Sequence, residues 1–158
     1  METSPIKRSK YILPLSREHH FTLLFSWKIR QGLKNSVDTA RIIKYVDYFW
    51  KQHMKDHFRQ EEELLFNKIK DEFTLKAIAD HEQIREMVQR LQVSVSKQTL
   101  LAELAEVVDD HVRFEERILF PHLEKNIPEA DLQLIAKDLS DDPLKADDFD
   151  DAFWKQKS

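Results

Sequence analysis

Apolar residues recur every three to four positions along most of the chain, the spacing of one face of an α-helix and not the alternation of a strand. The first stripe follows Pro14 and Ser16, with Ser16 as the expected N-cap, and runs through Phe21, Leu24, Phe25 and Ile29 to Gly32. After Asn35-Ser36, Asp38 can cap a long second helix carrying Ile43, Val46, Trp50, Met54, Leu64 and Leu65 to about Lys70. Thr74 opens a third, with Ile78, Ile84, Val88, Leu91 and Val95 on its inner face. The polar Ser96-Lys97-Gln98-Thr99 stretch separates it from a fourth that begins near Leu100 and carries Leu101, Leu104, Val108, Ile118, Leu119 and Leu123. Pro121 is expected to kink or loosen the last turns of that helix. Asn126 to Pro128 ends it, and Pro128 suits the first position of a short fifth helix through Leu139. Long amphipathic helices with short connections predict an all-α, up-down four-helix bundle over residues 14–126. An N-terminal extension (1–13) precedes it, and a short helix with an acidic tail (127–158) follows.

Composition supports one helical domain: 158 residues, 41% hydrophobic, ten phenylalanines and a single glycine, Gly32. The absence of cysteine excludes disulfides, thiolate zinc sites, iron–sulfur ligation and cysteine nucleophiles, so any metal must be held by oxygen and nitrogen. A formal charge of −4 implies no basic face, and nucleic acid is not an expected partner. No apolar run approaches the roughly 20 residues that span a bilayer, and Met1 to Lys10 lacks the apolar centre of a secretory signal, which points to no membrane and a cytoplasmic location. Asp138 to Asp151 holds seven aspartates against Lys145 alone, a solvated acidic tail before it is a docking strip.

The stripes contain residues that do not belong in an apolar core. His57 and Glu61 continue the stripe of helix 2, because 50, 54, 57, 61, 64 and 65 step by three and four, and His111 and Glu115 do the same between Val108 and Ile118 in helix 4. His81 sits between Ile78 and Ile84 in helix 3. In helix 1, His19 competes with His20, and the apolar spacing to Leu23, Leu24 and Trp27 favours His20. The stretch His57 to Ile69 aligns without gaps on His111 to Leu123, an internal repeat pairing His57 with His111, Glu61 with Glu115 and Glu62 with Glu116. Two facing helix pairs, each bearing an inward His-x-x-x-Glu, imply a site of near two-fold symmetry. Buried ionised glutamates without a partner cost several kcal/mol each, so a cation is expected between them. Without one, protonation would restore neutrality and raise the carboxyl pKa values. His20, His57, His81 and His111 with Glu61 and Glu115 are a suitable donor set for a pair of divalent or trivalent metals. His53 is read as structural, His122 as lying on the inner stripe of helix 4 near a bundle end, and Glu62 and Glu116 as solvated faces, Glu62 near the rim of the site.

Glu18-His19-His20, His57-x-x-x-Glu61-Glu62, His81-Glu82 and His111-x-x-x-Glu115-Glu116, followed by Ile118-Leu119-Phe120-Pro121, resemble the hemerythrin-like (HHE) cation-binding domains over roughly residues 14–126. The resemblance implies a hemerythrin-like bundle with an oxo- or hydroxo-bridged di-iron centre. His20, His57, His81 and His111 would be its terminal ligands and Glu61 and Glu115 its bridges, with zinc or manganese as substitutes. Oxygen carriers of this family have a further histidine where Arg85 stands, and with four histidines, two carboxylates and one bridging oxygen about ten of about twelve positions on two irons are filled. About two stay open, which favours sensing, binding or scavenging of a small ligand such as O2, NO or peroxide, or iron handling, over reversible oxygen transport. Alternatives are a di-iron enzyme, of the peroxidase, nitric oxide reductase or iron–sulfur repair type, and a metal-stabilised interaction module. Arg85, one turn after His81, is expected on the inner face, beside a site carboxylate or an exogenous anion.

Overall fold

The structure is a computed structural model that describes residues 8–139 and 149–155. Among them there is no strand, and five helices follow one another. Helix α1 is Leu13–Lys34. Helix α2 spans 39–68 as Thr39–Phe49, a π turn at Trp50–Met54, Lys55–Gln60, a second π turn at Glu61–Leu65 and a final 3₁₀ turn at Phe66–Lys68. Helix α3 is Glu72–Arg90. Helix α4 spans 97–126 with a π turn at Glu115–Leu119, and α5 is Glu129–Asp138. No helix among the described residues is long and apolar enough to cross a membrane.

Local chemistry sets most boundaries. Asp38 caps α2 as its sequence position predicts, accepting from the Ala40 N–H. Helix α3 starts earlier than expected: Asp71 accepts from the Phe73 and Thr74 N–H groups while Thr74 Oγ1 accepts from the Asp71 N–H, a capping box that makes Thr74 the third helical residue and not the first. It also stops earlier, leaving Val93 and Val95 in solvent. Helix α1 begins at Leu13, with Pro14 in its first turn, so Ser16 lies inside the helix, its hydroxyl bonded to Glu116. Pro121 produces no separate break. The π turn just before it has its twin in α2, where no proline stands, so both widened turns go with the repeated glutamates that begin them.

Two apolar clusters fill the bundle. One, toward the α1–α2 turn, contains Phe25, Ile29, Tyr45, Phe49, Phe58, Ile84, Leu101 and Val108; the other contains Leu15, Leu65, Phe66, Ala77, Leu119, Phe120, Leu123 and Ile135. Every bundle helix crosses from one cluster to the other. A layer of buried polar side chains, His19, His57, Glu61, His81, His111 and Glu115, occupies each crossing.

The end of the chain departs from the solvated tail its composition implies. Residues 140–148, most of the acidic stretch, lie outside the described residues. At 149–155 the chain lies back on the bundle, where Phe149, Phe153 and Trp154 pack against Tyr45 and Asp151 pairs with Arg41 at 2.6 Å. Lys28 stacks its ammonium over Trp154 at 4.0 Å and Tyr45 at 5.3 Å. Gly32 is required here, because a Cβ would meet Ile42 Cδ1 at 2.8 Å and Phe153 Cε2 at 2.9 Å.

Candidate metal centre

Five of the six donors read from the sequence meet in the polar layer, and one does not. His20 is exposed; the helix α1 histidine in the cluster is His19, with 3% of its surface accessible. The inward face of α1 is Leu15, His19, Thr22, Phe25, Ser26 and Ile29, whereas Leu23 and Trp27, whose spacing favoured His20, are exposed apolar residues. A signal for His19 was present: Glu18-His19 matches Asp80-His81, an acid directly before the histidine in each half of the repeat.

The donors form two groups that share both glutamates. His19, His57, Glu61 and Glu115 place one ligand atom each within 4.8 Å of one another, and so do Glu61, His81, His111 and Glu115. Glu61 turns Oε2 toward His57 Nε2 at 3.3 Å and Oε1 toward His81 Nε2 at 3.2 Å. Glu115 Oε1 lies 2.9 Å from His19 Nε2 and 3.3 Å from His111 Nε2. Both carboxylates are 0% exposed. Of those short approaches only that of His19 Nε2 to Glu115 Oε1 has the direction of a hydrogen bond: both oxygens of Glu61, Oε2 of Glu115 and Nε2 of His57 have no hydrogen-bond partner among the described residues. Buried lone pairs left unmatched at the convergence of four helices are costly in a protein interior and suit a cation.

Each imidazole is aimed from behind. Nδ1 of His19 donates to Glu116 at 3.0 Å, Nδ1 of His81 to Glu62 at 2.7 Å, Nδ1 of His111 to Asp80 at 3.0 Å, and Nδ1 of His57 to Glu18. A carboxylate on Nδ1 fixes the tautomer that leaves Nε2 inward with its lone pair available, the usual support of metal-binding histidines. These four acids are the functional residues that sequence reasoning missed; Glu62 and Glu116 are not merely solvated faces. Their arrangement repeats the two-fold symmetry. Taken in cyclic order, each acid serves the next helix: Glu18 on α1 serves α2, Glu62 on α2 serves α3, Asp80 on α3 serves α4 and Glu116 on α4 serves α1. Phe58 stacks on His81 with centroids 3.8 Å apart, and Phe120 on His19 at 5.4 Å, so the walls are apolar.

Charge is settled by the histidines. Burial alone would depress His111, but the Glu115 charge, with the hydrogen bond to Asp80, raises it to about 10. His57 is held well above the ordinary imidazole value against the same burial by Glu61 and Glu18, and His19 and His81 are also raised by their acids. Burial would lift the Glu115 carboxyl, yet the charge of His111 and the hydrogen bond of His19 hold it well below the usual range. Neutralisation by protonated carboxyls, the expectation from sequence, is therefore reversed for Glu115: without metal, imidazolium supplies the positive charge.

Arg85 also lies elsewhere than expected. It pairs with Glu82 on its own helix and stands 5.7 Å over the Trp50 ring, on a half-exposed rim and not among the donors. His122 is bonded to Asp71 at 2.6 Å and His53 packs on Phe49, both structural roles.

A helical bundle crossed by two His₂Glu₂ groups that share their glutamates is the architecture of a cation-binding bundle. The family model for the hemerythrin HHE cation binding domain matches residues 15–123, and the chain belongs to that family. No curated protein and no solved structure matches it.

Proposed function

We propose that the bundle holds two iron ions, one by His19 and His57 and one by His81 and His111, with Glu61 and Glu115 shared between them, and that it binds a small ligand such as O2, NO or peroxide in the cytoplasm in order to sense or scavenge it. The carrying observation is that the two donor groups share two fully buried glutamates, three of whose four carboxylate oxygens are unmatched by hydrogen bonds among the described residues. The chain offers each ion four donors, two imidazoles and two carboxylate oxygens, so an ion that prefers six retains room for exogenous ligands. Iron would supply electron transfer and coordination positions for a small molecule. The protein's share is orientation of the imidazoles by Glu18, Glu62, Asp80 and Glu116, and an apolar enclosure from Phe58, Phe66 and Phe120 that favours small neutral ligands over charged ones.

Elemental analysis with an absorption spectrum of protein produced in iron-supplemented cells tests the proposal. About two irons per chain are expected from the donor count, with at least one lost in His57→Ala, Glu115→Ala and His19→Ala and none in His20→Ala. A stoichiometry unchanged in the first three variants overturns the assignment.

A further inference from the structure

The four acids behind the histidines are not held alike. Glu116 is gripped from three sides: besides His19 Nδ1 it accepts from Arg8 Nη2 at 2.8 Å and from Ser16 Oγ. The Arg8 side chain is only 5% exposed. Its Nη2 also donates to the Glu116 carbonyl oxygen at 2.7 Å, its Nη1 donates to Glu124, and Glu124 in turn accepts from the Ser9 N–H. The guanidinium stands 5.4 Å over Phe120, the ring that stacks on His19.

Glu62, the counterpart of Glu116 in the repeat, is as exposed as Glu116 but has one hydrogen bond among the described residues, to His81, and borders a groove of about 380 Å³. The guanidinium groups lining that groove are engaged elsewhere, Arg59 by Asp56 and Glu63 and Arg85 by Glu82. Of the two remaining acids, Glu18 has its one side-chain hydrogen bond to His57, and Asp80 is paired with Lys76 at 2.9 Å, but that ammonium is 53% exposed, and such pairs fix little. A planar guanidinium buried against a carboxylate fixes far more.

Resting on the two-metal reading above, we infer that Arg8 is a positioning residue of the metal centre, orienting His19 through Glu116 and making the position of His19 and His57 the tighter of the two. The chemistry is pre-organisation. A carboxylate already immobilised by Arg8 and Ser16 holds the imidazole in its ligating orientation before the ion arrives, so less side-chain freedom is lost on binding. The segment before α1 is then part of the site and not an extension beside it.

The test is a cobalt(II) titration of the metal-free full chain at constant pH, followed by visible absorption and calorimetry. Two steps of unequal affinity are expected, the tighter removed by His57→Ala and the weaker by His111→Ala. Arg8→Ala should weaken the tighter step by about tenfold or more, within the range for groups that support metal ligands, and leave the other unchanged. Arg8→Lys should recover part of the loss, and Arg8→Ala should have no further effect in a Glu116→Gln background, because the linkage is already cut. Two cobalt steps that Arg8→Ala leaves unchanged, weakens equally, or weakens only where His111→Ala acts overturn the role of Arg8 while the two-metal reading stands. A lowered melting temperature of the metal-free variant with unchanged cobalt steps also overturns it, marking Arg8 as a structural anchor alone. Uptake of fewer than two cobalt ions by the wild type, or steps indifferent to His57→Ala and His111→Ala, overturns both readings.

Discussion

Metal uptake by the metal-free protein should release protons, in a number set by the histidines. At pH 8, His111, raised to about 10, is about two units below its pKa and essentially all imidazolium. Its Nε2 must be bare to bind an ion, so loading the His81–His111 position displaces at least one proton. His57, also held well above the ordinary value by Glu61 and Glu18, adds to the release when the other position fills. Deprotonating His111 two units below its pKa costs about 3 kcal/mol, at 1.36 kcal/mol per unit, or roughly a hundredfold in apparent affinity relative to pH 10. Apparent affinity should therefore climb about tenfold per pH unit for each proton displaced between pH 7 and pH 9.5 and flatten near 10. Zinc added to unbuffered metal-free protein containing a pH indicator reads the protons directly, and competition with a chelator of known affinity reads the slope. Uptake without acidification, or an affinity that does not change between pH 7 and pH 9.5, would show that the ions do not compete for these imidazoles and would refute the assignment of the donors.

Three further outcomes follow from the same geometry. Because the folded-state pKa of His111 is raised from 6.5 to about 10, the stability its charge provides is complete below about pH 6.5 and lost as pH rises through about 10. Differential scanning calorimetry should accordingly show the metal-free melting temperature falling across that window and the gap to the metal-loaded form widening, whereas a constant gap contradicts ionic neutralisation of Glu115. Asp80→Asn removes the anion behind His111 and should weaken one metal position by about 10- to 100-fold without unfolding the chain, measured by chelator competition. Gly32→Ala should destabilise the protein by about 1–3 kcal/mol in urea unfolding, since the new methyl forces Ile42 and Phe153 apart; no loss of stability would mean that the C-terminal segment does not pack there in solution.

Helix type, helix order and five of the six residues of the buried polar layer were legible in the chain because they depend on local periodicity: a histidine and a glutamate four apart within an apolar stripe face the core whichever neighbours that core has. The repeat of His57–Glu61 in His111–Glu115 carried the two-fold character of the site for the same reason. The sixth member of that layer, His19, was decided by tertiary structure. Helix α1 has two faces that read as apolar, and only packing against α2 and α4 buries Leu15, His19, Phe25 and Ile29 while leaving Leu23 and Trp27 in water. The acids that aim the imidazoles are likewise products of packing, because Glu18, Glu62 and Asp80 each reach a histidine on the following helix and Glu116 reaches back to one on α1, over separations that no local pattern specifies. Arg85 rotates off the inner face for a steric and electrostatic reason: His81 and Ile84 fill the inward arc of α3, and the guanidinium finds Glu82 and the Trp50 ring at the rim. The two ends of the chain show the contrast most clearly. Arg8 and the segment 149–155 carry little helical signal of their own, and their places, one behind His19 and the other over Tyr45 and Gly32, exist only once the four helices have assembled the surfaces that receive them.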